Sequence, residues 1–144
     1  MGFRAFDHCV SVIAYQKDGR KYGMTCAWAM QVDYDKLVCL IGSQSDTGRQ
    51  IKEGQEIGVS VLAKHQKAIA EHFGEEHSSS FDKFEGVTYT EKESALLIPN
   101  SARAMVCQVI EVLHLKGIEE DQLVYVSVKE SQENSSEFLH YGEM

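Results

Sequence analysis

The chain has 144 residues, of which 43% are hydrophobic, and it carries a formal net charge of −8. That length and apolar content suit a single core, so we predict one domain over residues 1–144. The negative charge argues against binding to nucleic acid, which needs a basic surface. No apolar stretch is long enough to cross a membrane and no secretory signal core precedes the first strand, so we expect a cytoplasmic protein without membrane contacts.

The acidic residues are unevenly distributed along the chain. From Glu111 onward, eight Asp and Glu residues oppose two Lys, whereas the first fifty residues are nearly balanced. An anionic ligand should therefore favour the N-terminal half.

The cysteines lie far apart in apolar runs without a CxxC pair, which favours buried free thiols and leaves disulfide pairing open. They are Cys9, Cys26, Cys39 and Cys107.

The N-terminal third reads as strands separated by short turns. Residues 8–16 are rich in β-formers and precede Asp18-Gly19, a dipeptide that favours a tight hairpin. We predict the partner strand over residues 21–32. Residues 37–42 are uniformly apolar and predict a short, fully buried strand.

The small residues of the second predicted strand form the first candidate ligand-binding element. Gly23, Met24, Thr25, Cys26 and Ala27 leave the backbone open to close approach, and Thr25 adds a hydroxyl. The alternative is a run of small residues needed only for packing. We expect Trp28, which follows, to cover the core.

A polar loop at residues 43–49 is the second candidate element. It combines the hydroxyls of Ser43, Ser45 and Thr47 with Gly48 and Arg49, which is a set of groups that suits a phosphate monoester. The alternative is an ordinary solvated loop.

The remainder of the chain adds strands and one helix. Residues 57–62 predict a strand, and residues 63–73 predict a helix with one apolar side. Residues 74–80 are polar and are expected to be mobile. Residues 103–115 predict a strand buried on both faces, and residues 123–130 predict an alternating strand. We therefore expect a small β-barrel with helical cover.

The histidines do not form a convincing metal-binding pattern. His65 and His72 are seven residues apart, whereas a chelating pair on a helix prefers a spacing of four, so we expect no metal site. No dinucleotide fingerprint, phosphate-binding loop or nucleophile elbow is present either. Cys26 is interpreted as a neutral wall residue rather than a reactive thiol.

The order of these elements resembles the flavin reductase-like, FMN-binding split-barrel family. The resemblance rests on Gly23-Met24-Thr25, the strand at 37–42, the loop that reaches Thr47, and the strand at 57–62 that leads into a helix. Phe81-Asp82-Lys83-Phe84, residues 104–109 and Leu139-His140-Tyr141-Gly142 extend it over nearly the whole chain.

The resemblance implies a mainly β fold, namely a six-stranded, Greek-key-like split β-barrel with one or two covering helices. It further implies a homodimer that binds FMN, with FAD as an alternative, and an NAD(P)H-dependent oxidoreductase that passes a hydride to flavin and electrons to an acceptor. The cofactor-binding residues it implies are Gly23, Met24, Thr25, Cys26, Ala27, Ile41, Gly42, Ser43, Ser45, Thr47, Arg49 and Lys83. No catalytic residue is identified.

Two departures from the family pattern leave other functions open. Asp33-Tyr34-Asp35-Lys36 replaces a common Asp-Pro-Pro, and Glu120-Asp121-Gln122 stands where many family reductases carry an Asp-His pair. A flavoredoxin-like electron carrier without a nicotinamide site, docking a redox protein partner, is therefore an alternative. A non-enzymatic split-barrel binding protein is the third hypothesis.

Overall fold

The computed structural model describes residues 3–43, 45–75 and 82–144. His77, Phe81 and most of the polar segment at 74–80 lie outside these ranges, so the expectations for them stay predictions. Among the described residues there are nine β-strands and two α-helices. The strands are β1 (Ser11–Lys17), β2 (Arg20–Cys26), β3 (Ala29–Asp33), β4 (Lys36–Gly42), β5 (Glu56–Val61), β6 (Thr90–Lys92), β7 (Ala95–Leu97), β8 (Arg103–Leu113) and β9 (Asp121–Glu133); the helices are α1 (Asp46–Arg49) and α2 (Lys67–Glu75).

The strands form one antiparallel sheet that does not close on itself. Its order is β3-β4-β9-β8-β5-β1-β7-β6, with β2 paired to β1 outside this path. The mainly β class with few covering helices is thus confirmed. The described residues form nine strands where the resemblance implied six, and two of the nine, β6 and β7, are only three residues long.

The first hairpin forms as predicted. Asp18 and Gly19 have φ values of 52° and 79°, which is the left-handed backbone of a two-residue turn. β1 and β2 pair from Lys17↔Arg20 to Ser11↔Cys26.

The prediction of one strand over residues 21–32 is wrong. The chain changes partner at Ala27 and Trp28: β2 pairs with β1, whereas β3 pairs with β4 on the far side of the sheet. At the crossing, the carbonyl of Trp28 accepts a hydrogen bond from the N–H of Leu40 at 2.8 Å. The chain breaks here because β2 and β3 pair with different strands of the sheet. The β propensity of this run is continuous and therefore does not predict the break.

Two further predictions need correction in the next segment. β4 alternates instead of being fully buried, with Leu37, Cys39 and Ile41 inside and their neighbours half-buried. The predicted loop at 43–49 contains the short helix α1, which Ser45 caps.

The predicted helix at 63–73 is present in two parts. Lys64–Gln66 is a single 3₁₀ turn, and α2 continues from it. Ala70 and Phe73 of α2 are buried with Leu62, and Ile69 packs against them, as the spacing predicted. The strands predicted at 103–115 and 123–130 correspond to β8 and β9, although β8 is exposed at Ile110 and Glu111.

Strand β1 separates two apolar clusters. Ile13 and Tyr15 belong to the sheet cluster, and Val12 and Ala14 belong to the helix cluster beneath α2. The sheet cluster comprises Ile13, Tyr15, Tyr22, Cys26, Leu37, Cys39, Ile41, Ile51, Ile57, Val59, Cys107, Val109, Val124 and Val126. The helix cluster comprises Val10, Val12, Ala14, Leu62, Ala70, Phe73, Phe84, Leu96, Ile98 and Leu139.

No helix in the described ranges has both the length and the apolar character required to pass through a lipid bilayer.

Gly58 on β5 provides a test of the sheet packing. A Cβ at this position would lie 2.1 Å from the carbonyl oxygen of Leu96, a backbone atom that cannot move aside cheaply. We expect Gly58→Ala to lower the free energy of unfolding by about 1–3 kcal/mol, measured by urea denaturation.

Gly74→Ala is the matched control, because its Cβ would make only ordinary contacts, at 3.7 Å from Thr25, inside α2. That variant should be neutral or stabilised by about 0.5–1 kcal/mol. Equal stability of the two variants would contradict the packing described here.

Candidate functional site

The outer edge of β2 carries backbone groups that point away from β1. The carbonyl of Gly23 accepts a hydrogen bond from the side chain of Lys83, which lies outside the sheet. Gly23 and its partner Ala14 on β1 therefore form a pair without hydrogen bonds between them. Since the direction alternates along an antiparallel strand, the N–H and C=O of Thr25 point to the same outer edge. This edge is the part of the predicted run that can donate to a ligand.

The side-chain faces of Gly23 and Thr25 are covered by α2. A Cβ on Gly23 would lie 2.9 Å from Cε1 of Phe73, and the hydroxyl of Thr25 donates to the carbonyl of Ala70. The absence of a side chain at Gly23 therefore serves helix packing. What these two residues can offer to a ligand is their backbone.

Met24, Cys26 and Ile41 point the other way, toward the sheet cluster. Cys26 and Ile41 are buried there, and Met24 packs against the cluster. Burial raises the pKa of the Cys26 thiol to about 11, so the thiol is neutral at physiological pH. This agrees with the interpretation of Cys26 as neutral, although its side chain lies in the sheet cluster and does not line the β2 edge.

Ser45 organises the turn that follows β4. Its hydroxyl donates to the carbonyl of Gly42 at 2.7 Å and accepts from the N–H of Gly48 at 2.9 Å, which is the geometry of a helix N-cap. The same oxygen lies 3.6 Å from the sulfur of Met24, so this turn contacts β2.

Gly48 allows the turn to lie directly on the end of β4. A Cβ at Gly48 would be 2.2 Å from the carbonyl oxygen of Gly42 and 2.9 Å from Cγ2 of Ile41. Only glycine permits this approach. Glycine at position 48 is thus a packing requirement of α1.

Two buried side chains hold α1 from inside the sheet. The Tyr15 hydroxyl donates to the carbonyl of Thr47, and the amide of Gln122 donates to the carbonyl of Gly48 at 2.7 Å. Removing one partner of such a buried bond costs about 1–3 kcal/mol. Burial, reinforced by Tyr22 and Asp46, raises the pKa of the Tyr15 phenol, which stays a donor at neutral pH.

The polar side chains of the 43–49 segment are only partly exposed. Thr47 is buried. Ser43 donates its hydroxyl to the carbonyl of Glu120 at 2.8 Å, and the guanidinium of Arg49 pairs with Asp46. Arg49 remains half exposed, so its planar group can still reach an anion.

Lys83 reaches the middle of the β2 edge and is buried, with 5% of its surface exposed. Its ammonium donates to the carbonyls of Gly23 and Phe73, both at 2.9 Å. It thus joins the C-terminal turn of α2 to β2. The carbonyl of Lys83 in turn accepts from the imidazole of His72 at 2.7 Å.

The structure therefore brings three distant segments of the chain into contact. Lys83 contacts Gly23, the turn at Ser45 contacts Met24, and the same turn lies on Gly42. The predicted site residues line one continuous strip along β2 and the end of β4. Three of the predicted site residues, Cys26, Ile41 and Thr47, have buried side chains that do not line this strip.

An aromatic pocket adjoins this strip and was not predicted. Trp28, directly after Ala27, is 53% exposed, which corrects the expectation that it covers the core. It lines a pocket of about 900 Å³ with residues from both ends of the chain, where Arg4 lies 5.7 Å from the ring centroid of Tyr141. The lining residues are Phe3, Arg4, Ala5, His8, Trp28, Tyr141, Gly142 and Met144.

The His, Cys, Asp and Glu side chains of the described residues form neither a metal-binding group nor a disulfide. Within the described residues, no group of three or more His, Cys, Asp or Glu side chains could hold a metal ion. All four cysteines are free, and Cys26, Cys39 and Cys107 are buried.

The sequence and the fold both match known proteins. The model of the Flavin reductase like domain matches residues 3–143, and the chain therefore belongs to that family. A ferric-chelate reductase (NAD(P)H) from Archaeoglobus fulgidus is 30% identical over 109 residues, which cover 72% of this chain. The match spans 64% of that relative, less than two thirds of its length.

Solved structures share the fold at lower identity. The NADH:FAD oxidoreductase SgcE6 of Streptomyces globisporus superposes with a TM-score of 0.79 at 19% identity, over 89% of this chain and 76% of that one. A flavoredoxin from Methanosarcina acetivorans gives 0.79 at 15% identity, over 90% and 70%. A flavin reductase domain protein from Arthrobacter gives 0.81 at 19% identity, over 93% and 82%.

Thiol reactivity tests the burial of this region. Burial raises the pKa of Cys26 to about 11 and of Cys107 to about 12, and it raises the pKa of Cys39 as well. A raised pKa lowers the thiolate fraction at a given pH, so these three should not react with a disulfide reagent at pH 8 in the folded protein. Half-buried Cys9 should react slowly, because burial and Asp7 raise its pKa too.

All four thiols should react after unfolding in denaturant, and Cys9→Ser should remove the slow reaction in the folded state. Reaction of two or more thiols in the folded protein would contradict the described core.

Proposed function

We propose that this protein is an FMN-binding oxidoreductase that takes a hydride from NAD(P)H and passes electrons from flavin to an acceptor. The observation that carries the proposal is the contact of three distant segments at β2: Lys83 bonds the carbonyl of Gly23, and the turn at Ser45, which follows β4, contacts Met24. Bound flavin would supply the hydride and electron chemistry, while the protein provides position and electrostatics.

The donor set along this strip suits a flavin phosphate. Arg49 offers a half-exposed guanidinium, and the hydroxyls of Ser43 and Ser45 fix the turn beside it by donating to the carbonyls of Glu120 and Gly42. Lys83 places a positive charge within 2.9 Å of the β2 edge. Arginine is a common ligand of phosphate, and the short chain favours FMN over FAD.

The ring of the flavin would lie beside the β2 edge near Ala27. The outward-facing backbone groups of Thr25 can bond the polar rim of the ring. Trp28 and the neighbouring aromatic pocket supply apolar surface next to that edge. The relative SgcE6, solved with NAD and FAD fragments, has the same fold with a TM-score of 0.80.

A flavoredoxin-like electron carrier is the second candidate, and one observation favours it. Gln122 stands where many family reductases carry a histidine, and its amide is engaged with the carbonyl of Gly48. It is buried and therefore does not face a nicotinamide. The two candidates differ in whether reduced nicotinamide reacts directly with the bound flavin.

Reconstitution with flavin tests the proposal. We expect FMN to bind with a shifted visible spectrum, and anaerobic mixing with NADH or NADPH to bleach it rapidly in a stopped-flow instrument. Binding without rapid bleaching would favour the electron carrier. Absence of any spectrally shifted complex would refute both candidates and leave the non-enzymatic hypothesis.

Two matched variants test the placement of the phosphate. Arg49→Met should raise the Kd for FMN by about tenfold, because a charge-assisted hydrogen bond is lost. Lys52→Met removes the same charge three residues away, at an exposed position, and should change the Kd by no more than about twofold through screened electrostatics. An equal effect of both variants would argue against a specific contact at Arg49.

We also propose that the protein is a cytoplasmic homodimer. Free thiols at all four cysteines suit a reducing compartment. Met30 and Val32 on the edge strand β3, with Tyr34 just after it, are exposed large apolar residues of the kind found at interfaces. We expect light scattering to give twice the chain mass of 16.2 kDa, and a monomeric mass would contradict this part.

A further inference from the structure

The short helix α1 depends on side chains from elsewhere in the chain. It has four residues, and the only local backbone bonds at its C-terminal end that the structure shows run from the N–H groups of Gln50 and Ile51 to the carbonyl of Gly48. Tyr15 on β1 donates to the carbonyl of Thr47, and Gln122 on β9 donates to the carbonyl of Gly48. Two consecutive carbonyls are thus bonded from two different strands.

These two donors are themselves held rigidly. Tyr15 is fully buried and stacks on Tyr22 with ring centroids 5.2 Å apart, and Gln122 is 6% exposed. Gln122 lies opposite Ile41 in the β4–β9 pairing, next to the strand end on which Gly48 rests. The orientation of α1 is therefore set by the register of the sheet.

We infer that Gln122 and Tyr15 are positioning residues for phosphate recognition: they hold α1 so that its Arg49 is directed toward the flavin phosphate. This inference rests on the proposed function and adds to it the residues that orient the phosphate site. Neither side chain touches the ligand, because both face the interior and donate to backbone carbonyls.

The distinguishing consequence concerns the phosphate alone. The flavin ring would be bonded by the β2 edge, which pairs with β1 and α2 and does not depend on these two bonds. Loss of either donor should therefore weaken FMN, whereas riboflavin, which has the same ring without the phosphate, should bind as before. General destabilisation would weaken both ligands alike.

The experiment measures the Kd of FMN and of riboflavin for the wild-type protein and three variants by fluorescence titration. Gln122→Leu removes the amide, and Tyr15→Phe removes only the hydroxyl while keeping the ring in the core. Gln132→Leu, at an exposed position of the same strand β9, is the control for the substitution itself. Should Gln122→Leu fold poorly, Tyr15→Phe still tests the same turn.

We expect Gln122→Leu to raise the Kd of FMN by about tenfold and Tyr15→Phe to raise it by about three- to tenfold. The riboflavin Kd should change by less than about twofold in both, and Gln132→Leu should leave both ligands unaffected. An unchanged ratio of the two Kd values, through equal weakening or no weakening, overturns the inference while the proposed function stands. Wild-type protein that binds no flavin overturns the proposed function, and this inference with it.

Discussion

Strand β1 is the element on which both halves of the structure depend. Its backbone is hydrogen-bonded on both edges, to β2 on one side and to β5 and β7 on the other. Its side chains are buried on both faces, with Ile13 and Tyr15 in the sheet cluster and Val12 and Ala14 beneath α2. A shift of one residue would exchange the two faces, so the register is strongly specified. The position of the β2 edge follows from that register.

Buried polar side chains connect this framework to the candidate site. Tyr15, Gln122 and Lys83 each donate to backbone carbonyls in or beside the site, and each is nearly inaccessible to solvent. A buried donor without a partner is unfavourable, so these groups restrict the backbone to arrangements in which a carbonyl lies opposite them. The shape of the site is thus enforced from the interior.

The fold alone does not determine which flavin chemistry the protein performs. An oxidoreductase and a flavoredoxin share this fold with the chain at 19% and 15% identity. The difference must lie in particular side chains. Gln122 is one such side chain, since it is buried and its amide is bonded to the carbonyl of Gly48 in α1.

Local features of the structure could be predicted directly from the sequence. Asp18 and Gly19 form the predicted turn because both tolerate the left-handed backbone, and the helical spacing of Ala70 and Phe73 identified the buried face of α2. The start of α1 also has a local signal, Ser45 followed by Asp46, which is typical of a capped helix, whereas both interpretations of this segment from the sequence made it a loop.

The residues of the candidate strip were predicted from their types, but the hydrogen bonds that hold them could not be predicted in this way. Tyr15 is 32 positions from Thr47, and Gln122 is 74 positions from Gly48. Likewise, the break between β2 and β3 lies within a run of continuous β propensity, and only the change of partner strand reveals it. The sequence by itself determined the turns, most of the strands and the chemistry available to the site. The tertiary structure decided which donors meet which carbonyls and which faces are covered, because those contacts depend on strand order and register.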